Sequence, residues 1–177
     1  MSTSSFAKSL KLGLANESLI TKYLNSRNFI VIPAYQIEQS TGKGPRVFAP
    51  MDEQLITPDL LCIRNGKMRW TECKSKAEFV LYRKTGIFQT GFDIACFEQY
   101  QRVQEVTGIP VYIMFLNAPR YGISEPSGLY YQTLDKLVET IDHSCTNEKT
   151  GSKSGGLHYW NEYDLIKQAE YNDVMIY

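Results

Sequence analysis

The spacing of apolar residues changes several times along the chain, and each change marks an element. Phe6, Leu10, Leu14, Ile20 and Leu24 recur at steps of about three to four. That predicts a first helix over 5–25, with Ser4 or Ser5 as its N-cap. A β-prone run, FIVIPAY, follows at 29–35. Residues 36–57 read as loop, because Gly42, Gly44, Pro45 and Pro50 break any period. The clearest local signal comes next: DLLCIR at 59–64 and KMRWTECK at 67–74 flank Asn65-Gly66. Two strand-like runs separated by Asn-Gly predict a hairpin with a two-residue type I′ turn. Residues 75–92, with Gly86 and Gly91, read as irregular. A helix is expected over 93–107, stopped by Gly108. VYIMFL at 111–116 is apolar throughout, the pattern of a central strand covered on both faces. Beyond it the pattern predicts a strand at 128–133, short helices at 134–142 and 161–170, and a mobile linker-like loop near 147–156 (NEKTGSKSGG within it).

The order α, β, β-hairpin, α, β describes a mixed α/β domain whose sheet is flanked by helices. At 177 residues the chain fits a single domain over 1–177, with a core at about 6–116 and a short α/β C-terminal extension over 117–177. No apolar run approaches the roughly 18 residues of a membrane span, and residues 1–12 lack the apolar centre of a signal peptide. The expected setting is therefore cytoplasmic, nucleoid-associated if cellular or host cytoplasm if phage-encoded, with no membrane partner. Cys62, Cys73, Cys96 and Cys145 form no CxxC pair and match no zinc module, so they read as reduced, buried thiols. His143 and His158 are too isolated for a metal cluster or a triad. Net charge is zero, but residues 1–120 hold 15 Lys and Arg against 10 acids, whereas 121–177 hold 4 against 9. A basic body with an acidic tail hints at a polyanionic partner.

The predicted hairpin has a chemical consequence. A two-residue turn pairs Arg64 with Lys67, and counting outward opposes Leu60 to Thr71 and then Asp59 to Glu72. Directly opposed like charges repel, and burying them costs more still unless something neutralises them. A divalent cation would do so, since magnesium takes one or two carboxylates together with water and phosphate. Lys74 falls on the same face as Glu72, where an ammonium offsets part of the repulsion. Cys73 points the other way, so only its carbonyl could reach an ion. Helix spacing also places Glu17 in the stripe that faces the sheet, an unusual place for a carboxylate. Gly13, one turn earlier, costs that helix about 1 kcal/mol relative to Ala, which the close approach of a backbone or phosphate would explain.

Pro58-Asp59 followed by Glu72-Cys73-Lys74 resembles the PD-(D/E)xK motif of the restriction-endonuclease-like nucleases. The gap of 13 between the acids, the Asn-Gly hairpin and Gly13-x-x-x-Glu17 on the preceding helix resemble the Holliday-junction-resolvase branch. This resemblance implies a restriction-endonuclease-like αβββαβ core and a deoxyribonuclease that needs Mg2+ or Mn2+. It implies that Asp59 and Glu72 bind the metal, that Cys73 lends its carbonyl, that Lys74 orients or activates water, and that Glu17 is a further ligand, direct or through water. The implied activity is a structure-selective DNA endonuclease; the alternatives are a RecB-like exonuclease, a restriction-type enzyme, an RNA-processing enzyme, or a DNA-binding module without chemistry. Implied partners are DNA, branched or single-stranded, and a second copy of the chain if four-way junctions are cut symmetrically. RecB-like exonucleases carry a Gln-hydrophobic-x-x-Tyr motif on the next helix; here Cys96 stands in the Gln position and Tyr100 in the Tyr position. Tyr100 is placed in the DNA-binding set, with Lys8, Lys11, Lys43, Arg46, Lys76, Arg83 and Lys84 as phosphate contacts. Tyr82 and Phe88 would stack on unpaired bases, whereas Trp160 and Tyr163 read as packing residues.

Overall fold

Asn65 and Gly66 both adopt positive φ (51° and 73°), as a type I′ turn requires. They join β4 (Leu60–Arg64) to β5 (Lys67–Lys74) in the expected register, from Arg64 opposite Lys67 to Leu60 opposite Thr71. The structure is a computed structural model that describes residues 3–34, 46–74, 79–119, 126–146 and 155–176, without the side chains of 3–12 and 52.

Around this hairpin lies a six-stranded sheet. The edge strand β1 (Ile30–Pro33) pairs antiparallel with β4. On the other side β8 (Val111–Asn117) runs parallel to β5. Then follow β9 (Gly128–Thr133) and β12 (Ile166–Ala169), both antiparallel to their neighbours. The uninterrupted apolar run of β8 is explained by burial on both faces. Ile113 and Phe115 enter one core with Trp160, Phe97 and Phe92, while Met114 and Leu116 enter another with Ile20, Leu24 and Leu60. The second core is closed by helix α1 (Thr3–Ser26) and by Val174 of the short helix α4 (Tyr171–Met175).

The first core is closed by helix α2 (Ile94–Thr107) and a second, four-stranded sheet. Asp93 caps α2 through the Cys96 amide, and Gly108 ends it at φ 64°. The second sheet comprises β10 (His143–Thr146), β11 (Gly156–Asn161), β7 (Ile87–Asp93) and β6 (Val80–Tyr82), in that order. Trp160 of β11 is fully buried and donates its indole N–H to the Leu137 carbonyl of helix α3 (Leu134–Glu139).

Several expectations are corrected. Part of the 36–57 loop is a hairpin of β2 (Arg46–Ala49) and β3 (Glu53–Ile56), docked on α2 by Arg102 holding Glu53 with two nitrogens at 2.8–3.2 Å. The irregular stretch 75–92 contains β6 and most of β7. The helix expected at 161–170 is instead the end of β11, a 3-10 turn at Glu162–Asp164 and β12. Tyr163 is exposed rather than packed, and Leu14 is 44% exposed, so the α1 stripe turns outward before Ile20. A Cβ on Gly13 would meet nothing within 4 Å, so no described backbone explains that glycine. The extension beyond 117 supplies two strands to each large sheet; most of the loop expected near 147–156 lies outside the described residues. Among the described residues no helix is long and apolar enough to cross a membrane.

Candidate active site

Strand alternation carries Asp59, Glu72 and Lys74 to the α2 face of the sheet, where the β4–β5 hairpin opens. Asp59 lies one step beyond the last paired residue, and its Oδ2 accepts the Cys73 amide at 2.9 Å. The amide and carbonyl of one strand residue point to the same side, so the Cys73 carbonyl also faces the Asp59 edge. Its thiol packs on the opposite face, among the side chains under α1, where burial pushes it well above the ordinary thiol range.

Glu72 is only 3% exposed, and both its oxygens are engaged. Oε1 takes the Lys74 ammonium at 2.7 Å, and Oε2 accepts the Tyr100 hydroxyl at 2.7 Å. Lys74 also sits 4.7 Å from the centre of the Phe92 ring, a second attraction for its charge. Burial works against that charge, but Glu72 outweighs it by charge and hydrogen bond, and Asp59 adds to the effect. Lys74 therefore keeps its proton above the usual lysine range, so it serves here as a cation rather than a base.

The acids are short of positive charge. Burial, then the charge of Glu72, holds the Asp59 carboxyl well above its usual value, and the Cys73 hydrogen bond only partly counters this. Half-buried Glu17, projecting from α1, is raised by burial and again by Glu72. The three carboxylates thus feel one another, with Lys74 the described cation among them. Among the described residues no three His, Cys, Asp or Glu side chains close on one point. Two carboxylates and a main-chain carbonyl nevertheless form a set of hard oxygen donors, and water and phosphate complete such a set around magnesium or manganese.

Tyr100 does not belong on a DNA-facing surface. It is 5% exposed, and its hydroxyl is spent on Glu72. Burial and the charges of Glu72 and Asp59 push its phenol well above the ordinary range, so it stays a donor. The sequence held this signal: Phe97, Tyr100 and Val103 lie three apart and form the buried stripe of α2. If the chain has the DNA-cleaving activity the motif implies, Tyr100→Phe lowers its rate about tenfold with DNA affinity unchanged, because Glu72 loses an orienting bond and nothing at the surface changes. Single-turnover rates measured beside anisotropy would check this.

The expected DNA contacts divide by position. Arg83 and Lys84 are exposed in the β6–β7 turn, about 17 Å of strand from Phe92 at the other end of β7. Arg46 is on β2, where it hydrogen-bonds the exposed Gln54 at 2.6 Å. Tyr82 is already stacked on His143 (4.9 Å), which stacks on Tyr159 (4.8 Å). Phe88 packs against the core, and Gly91 lies inside β7 beneath the Tyr159 ring rather than in an irregular stretch. Lys43, Lys76 and the side chains of Lys8 and Lys11 lie outside the described residues. Phe92 was missed by the sequence reading, since nothing local shows which ring a lysine will meet.

No protein-family model and no curated protein matches this sequence. Among solved structures, the chain is similar to Hjc, a Holliday junction resolvase from Archaeoglobus fulgidus, with 13% identity and a TM-score of 0.51 over 86% of this chain and 90% of that one. It is more loosely similar to D212, a nuclease from a fusselovirus, with 11% identity and a TM-score of 0.41 over 93% of this chain and 90% of that one. The chain has the restriction-endonuclease-like fold of the Hjc resolvase, as the motif and element order predicted.

Proposed function

We propose that this chain is a Mg2+- or Mn2+-dependent DNA endonuclease, selective for branched substrates and acting as a homodimer. The observation that carries this reading is the placement of Asp59 and Glu72 on one sheet face, with Lys74 clamped between Glu72 and Phe92. A solvated strand end would leave such acids apart and wet; here Glu72 is buried and Asp59 partly so, and the charge of Glu72 helps hold the Asp59 carboxyl above its usual value. Asp59, Glu72 and the Cys73 carbonyl would hold the metal, and Glu17 would act through water, since the three acids do not converge as direct ligands. When bound, the ion would polarise a phosphoryl oxygen and lower the pKa of water.

The chain's own residues do the rest. Glu72 holds the Lys74 ammonium in place, and Tyr100 fixes the plane of the Glu72 carboxylate. The ammonium donates to the attacking water or to the phosphate oxygen on which negative charge grows, a position that favours the transition state over the bound diester. The Cys73 amide keeps Asp59 from swinging away. The exposed cations Arg83 and Lys84 and the partly exposed Arg46 would bind flanking phosphates.

One substrate panel tests the reading: a four-way junction, closed circular duplex, linear duplex, single-stranded DNA and RNA, each with Mn2+, Mg2+ or EDTA. Paired nicks in the junction, requiring a divalent ion, are the expected result. Digestion only from free ends would favour an exonuclease, to which Tyr100 is the link. Binding without any cleavage would leave a DNA-binding module and end the enzyme assignment.

A further inference from the structure

At the turn end of the β4–β5 hairpin, opposite to the acids, lies a second concentration of charge. Arg27, Arg64 and Lys67 are exposed and Arg69 is half-buried, and none of the four has a carboxylate partner among the described residues. Lys74, Arg102, Lys136 and Lys167 each hold an acid at 2.7–3.1 Å. The Arg69 guanidinium lies 4.3 Å from the Phe29 ring centre and 4.7 Å from that of Tyr112, and Arg64 lies 5.1 Å from Phe29. Among the described residues the buried Arg69 Nε has no hydrogen-bond partner, an omission that costs stability unless a ligand or water answers it. The carbonyl end of α1 is close by, but it supplies only about half a negative charge against four positive ones.

The surface is also concave. Two cavities of about 640 and 530 Å3 share Phe29, Arg64 and Arg69. Among the described residues no acid lines either one. Volumes of this size suit a nucleotide-sized ligand. Arg69 faces Cys62 across the hairpin, on the side packed under α1, whereas Glu72 lies three residues along β5 on the other face. The two sites therefore do not share a groove.

We propose that Arg27, Arg64, Lys67 and Arg69 form a second site, separate from the candidate metal centre, that binds a phosphate group. Arginine forks suit phosphate because two parallel N–H donors match two oxygens, and the flanking rings keep Arg69 aimed before the ligand arrives. The phosphate belongs either to the backbone of a nucleic acid reaching past the catalytic face, a source that rests on the nuclease reading, or to a free phosphate or nucleotide.

Two readouts that need no cleavage test this on the intact chain. The Arg69 Nε–H resonance is followed by NMR as inorganic phosphate or dAMP is added, and anisotropy of a labelled duplex is measured in EDTA over a salt series. The double variant R64E/K67E alters two exposed side chains, and Lys136→Ala serves as a remote control. The proposal expects phosphate or dAMP to shift the Arg69 signal in the native chain and not in R64E/K67E. If the source is a nucleic-acid backbone, the double variant also weakens duplex binding about tenfold and flattens the salt dependence by one to two phosphate contacts. Duplex binding unchanged in the double variant, with the phosphate shift present in the native chain and lost in R64E/K67E, assigns the site to a free phosphate or nucleotide. An unmoved Arg69 signal together with unchanged duplex binding overturns it. A nuclease-dead but phosphate-responsive protein would refute the activity alone.

Discussion

Glu72→Gln is expected to reduce phosphodiester cleavage by about three orders of magnitude or more while leaving DNA affinity in EDTA within twofold. The two side chains have the same shape, so the substitution isolates charge. An amide can accept from Lys74 or from Tyr100 but not from both, because its second terminal atom is itself a donor. Whichever bond is kept, the Lys74 ammonium loses the negative charge that holds it at 2.7 Å. Burial already disfavours that ammonium and would then be opposed mainly by Asp59 and the Phe92 ring. One substitution thus removes a metal-type oxygen charge and loosens the cation that would meet the phosphate. Lys74→Met should be nearly as damaging for the second reason alone, whereas Lys74→Arg should recover part of the rate. Single-turnover cleavage at saturating protein, with Mn2+ to compensate for weak metal binding, is the measurement. A loss below tenfold in both Glu72→Gln and Lys74→Met would remove these residues from the chemistry.

The site was legible because its geometry follows from one turn. Asn65-Gly66 fixes the register, the register runs out to Leu60 opposite Thr71 and so brings Asp59, one step beyond, to the Glu72–Cys73 end of β5, and alternation brings Lys74 to the same face as Glu72. Strand β8 was legible for a similar reason: a run with no polar position can only be covered on both sides. The second sheet was not legible. Its strands β6 and β10 are short, and β10 mixes polar with apolar residues, as does β12 at the edge of the first sheet. The pairing that holds the sheet together joins distant segments, 89–93 of β7 with 157–161 of β11, so no local period announces it. The stretch 161–170 illustrates the competition: its composition allows a helix, but pairing of Ile166 and Lys167 with Tyr131 and Tyr130 makes it a strand. Tertiary pairing overrode local preference there. Tyr100 was misplaced through reading its motif position without its helix phase.

Asp59→Asn is expected to make the metal-free protein more stable by about 1–2 kcal/mol, which for a chain of this size raises Tm by about 2–8 °C. Asparagine keeps an oxygen that can accept the Cys73 amide, so the local bond survives while the charge is lost. What is removed is the burial of a charge beside Glu72, with a further contribution from Glu17. The sign with pH follows. Asp59 and Glu17 have folded values above their ordinary 3.8 and 4.5, so the folded chain binds more protons than the unfolded one in that window. Their destabilising effect is absent below the ordinary values and complete above the raised ones, so stability contributed by these groups falls as pH rises. Mg2+ or Mn2+ should reverse this by supplying the missing charge, raising Tm most at neutral pH, where the acids are most ionised. In Asp59→Asn both the pH slope and the metal-induced rise should shrink together, because both express the same uncompensated charge. Melting curves between pH 5 and 8, with EDTA or with added Mn2+, would show it. A variant that melts lower than the native chain in EDTA, or gains as much from Mn2+, would mean that Asp59 is a structural acid and that the ion, if any, sits elsewhere.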